Sequence, residues 1–279
     1  VDKNQIVNNG PIGVFDSGYG GLTILNEFLK EFPEYDFIYL GDNARTPYGT
    51  RSFEMVYQYT RQSVMHLFEM GCQLVILACN TASAKALRTI QQNDLPGFDS
   101  SRRVLGVVRP SVEKIGAVSR NGHVGVLGTT GTVQSMSYPL EIQKLFPGTV
   151  VSQQACPMWV PLVENDERNT PGADYFVKRD LTRLFEQDNQ IDTLILGCTH
   201  YPLLLPVIER FLPPGVSVMP QGQIVAQSLK DYLSHHPQMD SKCTKNGTCR
   251  FYTTEDPAKF NEASAVFLEK LIDSKRISL

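Results

Sequence analysis

Short apolar runs recur along the chain, and most stop at small or polar residues just before a stretch with helical spacing. Residues 12–15 stop at Asp16-Ser17-Gly18, 37–40 at Gly41-Asp42, and 74–78 at Cys79-Asn80-Thr81. Residues 124–127 stop at Gly128-Thr129-Thr130, and 194–196 at Gly197-Cys198-Thr199. Runs this short, bounded this way, read as strands buried on both faces. Between them, residues 52–70 and 174–187 have the apolar spacing of helices. Strand–helix alternation predicts an α/β fold built on parallel sheets with helices on both sides.

The chain also repeats itself. GVFDSG at 13–18 matches GVLGTT at 125–130, and LVILACNT at 74–81 matches TLILGCTH at 193–200. The offsets are 112 and 119 residues, close enough to predict two α/β units related by duplication. The expected architecture is two pseudo-symmetric, doubly wound parallel-sheet domains. Ligands in such folds bind beyond the carboxyl ends of the strands. If the units face each other, those ends border one cleft, with Cys79 and Cys198 on its opposite walls.

Composition narrows the function classes. The 279 residues suffice for two ordinary domains, with 42% hydrophobic and 20% charged residues. The net charge is -3 and the basic clusters are no longer than pairs such as Arg102-Arg103, so nucleic acid is excluded as a main substrate. No apolar run approaches the roughly 20 residues that cross a bilayer. The polar start VDKNQIVNNG has no signal-peptide stretch, so a cytoplasmic protein is expected. Six cysteines, at 72, 79, 156, 198, 243 and 249, form no CxxC pair and are expected as free thiols without zinc. Cys243 and Cys249 are read as parts of a solvated loop.

The two thiols at matching points of the repeat carry the chemistry. Each follows a strand and precedes an expected helix start, with Thr81 and Thr199 as caps. A helix N-terminus favours thiolate, so each Cys is expected to titrate below about 8.5. Most free cysteines are only small buried hydrophobes, and Cys156 is read that way. Two opposed thiols, however, suit inversion at a carbon: one removes a proton, the other returns one to the far face. DSGYGG at 16–21 is a glycine-rich turn able to bring N–H groups to an anion, with Asp16 available to an ammonium group or a thiol. Tyr48, in the loop PYG, offers a hydroxyl to a carboxylate. His200 adjoins Cys198 and titrates near neutrality. Glu164 ends the apolar segment CPMWVPLVE, at the cleft or on the surface.

FDSGYGG, LGDNARTPYG, ILACNTASA, GVLGTTGTV, CPMWVPLVE and LILGCTHYPLL together resemble the aspartate/glutamate racemase superfamily. The tail FYTTEDPAKF resembles that family's last strand. The resemblance implies two α/β domains, an active site in the cleft between them, and no cofactor or metal. It implies Cys79 and Cys198 as the paired acid/base residues, the first serving the D-enantiomer and the second the L-enantiomer. It places Asp16, Ser17, Tyr48, Gly49, Asn80, Thr81, Thr199 and His200 at the substrate, with Asp16, Glu164 and His200 assisting the thiols. GCTHYP points to L- and D-glutamate as substrates, D-glutamate being a bacterial peptidoglycan precursor; an aspartate or broad-specificity racemase is the alternative. A homodimer is implied as well. A thiol redox protein would need the two Cα atoms within about 7 Å, and the missing CxxC argues against it. The expected domains are 1–107 with 221–279, and 108–220. Arg109, in GVVRPSV, departs from the family pattern and is expected at the cleft rim or a partner subunit.

Overall fold

The computed structural model describes residues 9–268 and 270–279. Ten strands run in chain order: β1 (Ile12–Asp16), β2 (Phe37–Gly41), β3 (Leu74–Leu77), β4 (Arg103–Gly106), β5 (His123–Gly128), β6 (Val150–Ala155), β7 (Thr193–Gly197), β8 (Ser217–Met219), β9 (Cys249–Thr253) and β10 (Ser274–Arg276). They form two parallel sheets, one ordered β10-β9-β2-β1-β3-β4 and the other β6-β5-β7-β8. The order β2-β1-β3-β4 thus recurs as β6-β5-β7-β8, and the matched segments of the sequence repeat fall on β1 with β5 and on β3 with β7. Every residue of β1, β2, β3 and β7 is buried, as expected where helices cover both faces.

The two long predicted helices form at Phe53–Glu69 and Pro171–Gln187. Each begins at a hydroxyl cap: Met55 N–H donates to Ser52 Oγ, and Ala173 N–H to Thr170 Oγ1. Pro171 takes the first helical position, where its missing N–H costs nothing. The helix Leu22–Glu31 buries Leu22, Ile24, Leu25 and Phe28, and Phe28 stacks on Phe37 of β2 with ring centroids 6.0 Å apart.

The chain leaves the first sheet after β4 and returns from the second after β8, through the helix Gln221–His235, which packs on Leu22–Glu31. Two expectations about the C-terminal part are corrected here. Cys249 opens strand β9 and Cys243 is buried, so they do not share a solvated loop. Phe251 and Tyr252 pair with β2, which needs a regular strand there rather than a loop. The segment FYTTEDPAKF does not hold the last strand: its first residues belong to β9, its end opens the helix Pro257–Leu268, and β10 follows.

Candidate active site

The sheets place the chemistry where their carboxyl ends meet. Asp16 ends β1, Cys79 lies two residues beyond β3, Thr129 follows β5, and Cys198 follows β7. The loop 16–21 reaches the other wall. A Cβ added to Gly20 would stand 2.2 Å from Thr199 Oγ1 and 2.4 Å from His200 Nδ1, so only glycine permits this approach. Thr23 Oγ1 lies 2.8 Å from the Gly20 carbonyl and 3.1 Å from the Thr199 carbonyl, and Gly131 N–H donates to the Gly49 carbonyl at 2.7 Å. Cys79 and Cys198 are each 6% exposed and both free. They lie close enough that charge on Cys198 disfavours charge on Cys79.

On the first wall, Cys79 Sγ accepts from Ala82 N–H at 3.4 Å and lies 3.4 Å from Ser17 Oγ. The sulfur itself therefore caps the helix Asn80–Lys85, and the expected cap Thr81 is its second residue. Burial first, then the neighbouring Asp16, push this thiol up to about 12; Ser17 and Ala82 offset part of the rise. The expectation of a depressed Cys79 is thus corrected: desolvation outweighs a six-residue helix. Asp16 is 1% exposed, and neither carboxylate oxygen has a hydrogen bond of good geometry among the described residues. Burial raises it to about 6, with nearby His200 and the N–H groups of Gly21 and Gly18 acting the other way.

On the second wall, His200 Nδ1 lies 3.9 Å from Cys198 Sγ and His200 Nε2 lies 2.9 Å from Glu164 Oε1. Burial opposes an imidazolium here, but Cys198 and Glu164 outweigh it and raise His200 to about 10. Glu164 is thereby placed at the cleft. Thr199 does not cap the following turn, a 3₁₀ helix Tyr201–Leu204 that starts at His200 without a side-chain cap. Its hydroxyl faces Gly20 instead.

The remaining predicted residues divide. Thr81 Oγ1 lies 2.9 Å from Thr129 Oγ1 and 3.3 Å from Thr132 Oγ1, so it joins the two domains. Asn80 is buried beside Cys79 and bonds across to Tyr138. Tyr48 does not offer its hydroxyl to the cleft: it donates to Asp42, which Arg45 Nε also holds, at 2.6 Å. Gly49, next to it, does reach the cleft, where a Cβ would stand 2.9 Å from Thr129 Cβ. Arg109 pairs with Glu113 at 2.8 Å and Glu141 at 2.7 Å on an exposed face. Sequence reasoning missed Thr129, Thr132 and Lys85, whose buried Nζ donates to the Arg51 carbonyl at 2.8 Å near Gly131. A signal for Thr129 existed: in the repeat it stands opposite Ser17.

Fold and site together define a two-domain α/β protein with two buried thiols beyond the carboxyl ends of its parallel sheets. A family model described as Asp/Glu/Hydantoin racemase matches residues 23–229. The glutamate racemase of Shouchella clausii (strain KSM-K16) is 40% identical over 265 residues, covering 95% of this chain and 92% of that one. The crystal structure of glutamate racemase isoform RacE1 from Bacillus anthracis is similar at a TM-score of 0.88, with 34% identity and 98% of each chain covered. The glutamate racemase of Francisella tularensis subsp. tularensis SCHU S4, solved in complex with D-glutamate, gives a TM-score of 0.86 at 32% identity, covering 97% of this chain and 98% of that one. The chain belongs to the Asp/Glu/Hydantoin racemase family, in its glutamate racemase branch. It is an isomerase.

Proposed function

We propose that Cys79 and Cys198 interconvert L- and D-glutamate by proton transfer on opposite faces of the α-carbon, without a cofactor. The observation that carries this is the pair of thiols at matching strand ends, each beside its own acid/base partner. From L-glutamate, Cys198 takes the α-proton as thiolate, the C–H electron pair passes into the α-carboxylate, and the Cys79 thiol protonates the opposite face. The reverse direction exchanges the roles. Cys79, raised by burial, rests protonated and ready as the acid. Beside Cys198 stands the His200 imidazole, 3.9 Å from its sulfur and held on its other nitrogen by Glu164.

Substrate charge answers the charge of the walls. The ammonium group meets Asp16, whose ionised form gains from a cation that replaces lost water. Ser17, the Gly49 backbone, Asn80, Thr81 and Thr199 serve the carboxylates, together with the Thr129 and Thr132 hydroxyls. The Tyr48 side chain acts at one remove, by fixing the loop through Asp42. We divide the chain into the domains 1–107 with 221–279, and 108–220. We assign a homodimer in the bacterial cytoplasm, making D-glutamate for peptidoglycan; no described helix is long and apolar enough to cross a membrane.

The deciding experiment pairs racemisation with a half-reaction. Cys79→Ser and Cys198→Ser should each lose racemisation in both directions by at least about 10²–10⁴-fold. Elimination from β-chloroalanine needs only the base. Cys198→Ser should therefore keep elimination from the D-analogue and Cys79→Ser from the L-analogue. Equal elimination of both enantiomers by both variants would refute the two-thiol reading.

A further inference from the structure

Gln221 begins the helix at the second crossing between the domains and is 2% exposed. Its amide sits among Asn80 from the first wall and Ser111 and Tyr138 from the second, all of them buried. Gln221 Oε1 accepts from Asn80 Nδ2 at 2.9 Å. Its Nε2 lies 2.9 Å from Ser111 Oγ, 3.0 Å from Tyr138 Oη and 3.2 Å from Asn80 Oδ1.

An amide nitrogen carries two protons, so these three contacts cannot all be bonds. The neighbours decide which two are made. Ser111 Oγ donates to the Val107 carbonyl at 3.0 Å, and Tyr138 Oη donates to Asn80 Oδ1 at 2.7 Å. Each hydroxyl has one proton and has spent it. Both can only accept from Gln221. The result is a closed cycle: Gln221 donates to Tyr138, Tyr138 to Asn80, and Asn80 back to Gln221. The second Gln221 proton goes to Ser111, which reaches Val107 at the first crossing. The cycle fixes which end of the Asn80 amide is nitrogen. Among the described residues it leaves one side-chain N–H of Asn80 without an acceptor, on the residue that directly follows Cys79.

We propose that Gln221 is a positioning residue for racemisation: it orients the Asn80 amide so that its remaining N–H meets the substrate carboxylate, and it ties that amide to both domain crossings. This rests on the reading that Asn80 contacts substrate. Gln221 touches no reacting atom and acts through Asn80 alone.

A double-mutant cycle followed by circular dichroism of glutamate tests this. Gln221→Met keeps the shape of the side chain and removes its bonds. It should raise KM about tenfold and leave kcat within about threefold, because the contact is equally present in ground and transition states. In the Asn80→Ala background the same change should cost nothing further, since its only route is gone. Tyr138→Phe, which removes the proton donated to Asn80, should reproduce both results and decides the matter if Gln221→Met melts below the assay temperature. A wild-type KM in Gln221→Met, or costs that multiply in the double variant, would overturn the proposal. A wild-type KM in Asn80→Ala would instead remove Asn80 from the site, and so overturn the underlying reading.

Discussion

Asp16→Asn should make the protein more stable and less active, and its stability gain should depend on pH. In the fold the Asp16 carboxyl is buried without a well-formed hydrogen bond and titrates at about 6, against 3.8 as the ordinary value. A raised acid binds more protons folded than unfolded. Stability is therefore lost as pH climbs from the unfolded value through the folded one, and the loss is complete above about pH 7. Two units at 1.36 kcal/mol each make a cost of about 3 kcal/mol at neutral pH. Between about pH 4.5 and about pH 7.5 the cost changes by roughly 2 kcal/mol. The asparagine amide has its own burial cost, but that does not vary with pH and cancels from the comparison. Thermal unfolding of both proteins at those two pH values gives the difference, expected as several degrees of Tm favouring the variant more at the higher pH. A Tm difference that is the same at both would refute the assignment of a strained carboxylate. Racemisation should fall in parallel, because the role proposed for Asp16 is to hold the substrate ammonium as an ionised carboxylate.

Three further outcomes follow from distances in the cleft. Glu164→Gln should draw the alkaline limb of kcat/KM down by about one pH unit, since His200 loses the charge that helps hold it at about 10. The stability due to His200 is full below about pH 6.5 and fades as pH rises through about 10, so the variant should lose most on the acid side; an unmoved limb would disconnect the two residues. Gly20→Ala should drive a methyl group into Thr199 and His200 and cost about 10²-fold in kcat; wild-type turnover would refute the close approach. Thr81→Ala removes a hydroxyl shared with Thr129 and Thr132 and should lower kcat/KM about tenfold with little change in Tm; unchanged kcat/KM would take Thr81 out of the site.

The strands and the duplication were legible because a parallel strand buried on both faces leaves a continuous apolar run, and its carboxyl end must then turn polar. That pattern located Asp16, Cys79 and Cys198 before any geometry. What stayed hidden depends on contacts between distant segments. Nothing in PYG says that Tyr48 turns to Asp42, and a glutamine after a proline does not announce a cycle with Asn80 and Tyr138. The titration of Cys79 was misjudged for a reason of magnitude. A helix N-terminus contributes about 0.3–1 kcal/mol. A rise from 9.0 to about 12 corresponds to about 4 kcal/mol, and burial is its main cause. Local sequence reveals the first effect and not the second.

The burial of both thiols has a consequence for the enzyme's history from one turnover to the next. Under the proposed two-thiol mechanism, once L-glutamate has become its mirror image the proton that began on Cys79 has gone with the product, and the one taken from substrate sits on Cys198. The enzyme is then loaded for the opposite conversion. At 6% exposure each of the two cysteines has little contact with the medium. Contacts such as Gly131 to Gly49 and Thr23 to Thr199 hold the two walls together around them. On that mechanism each molecule carries a record of the hand of its last product until those protons are exchanged. The proposed mechanism thereby makes the return of those protons a step of its own when substrate of one hand is abundant.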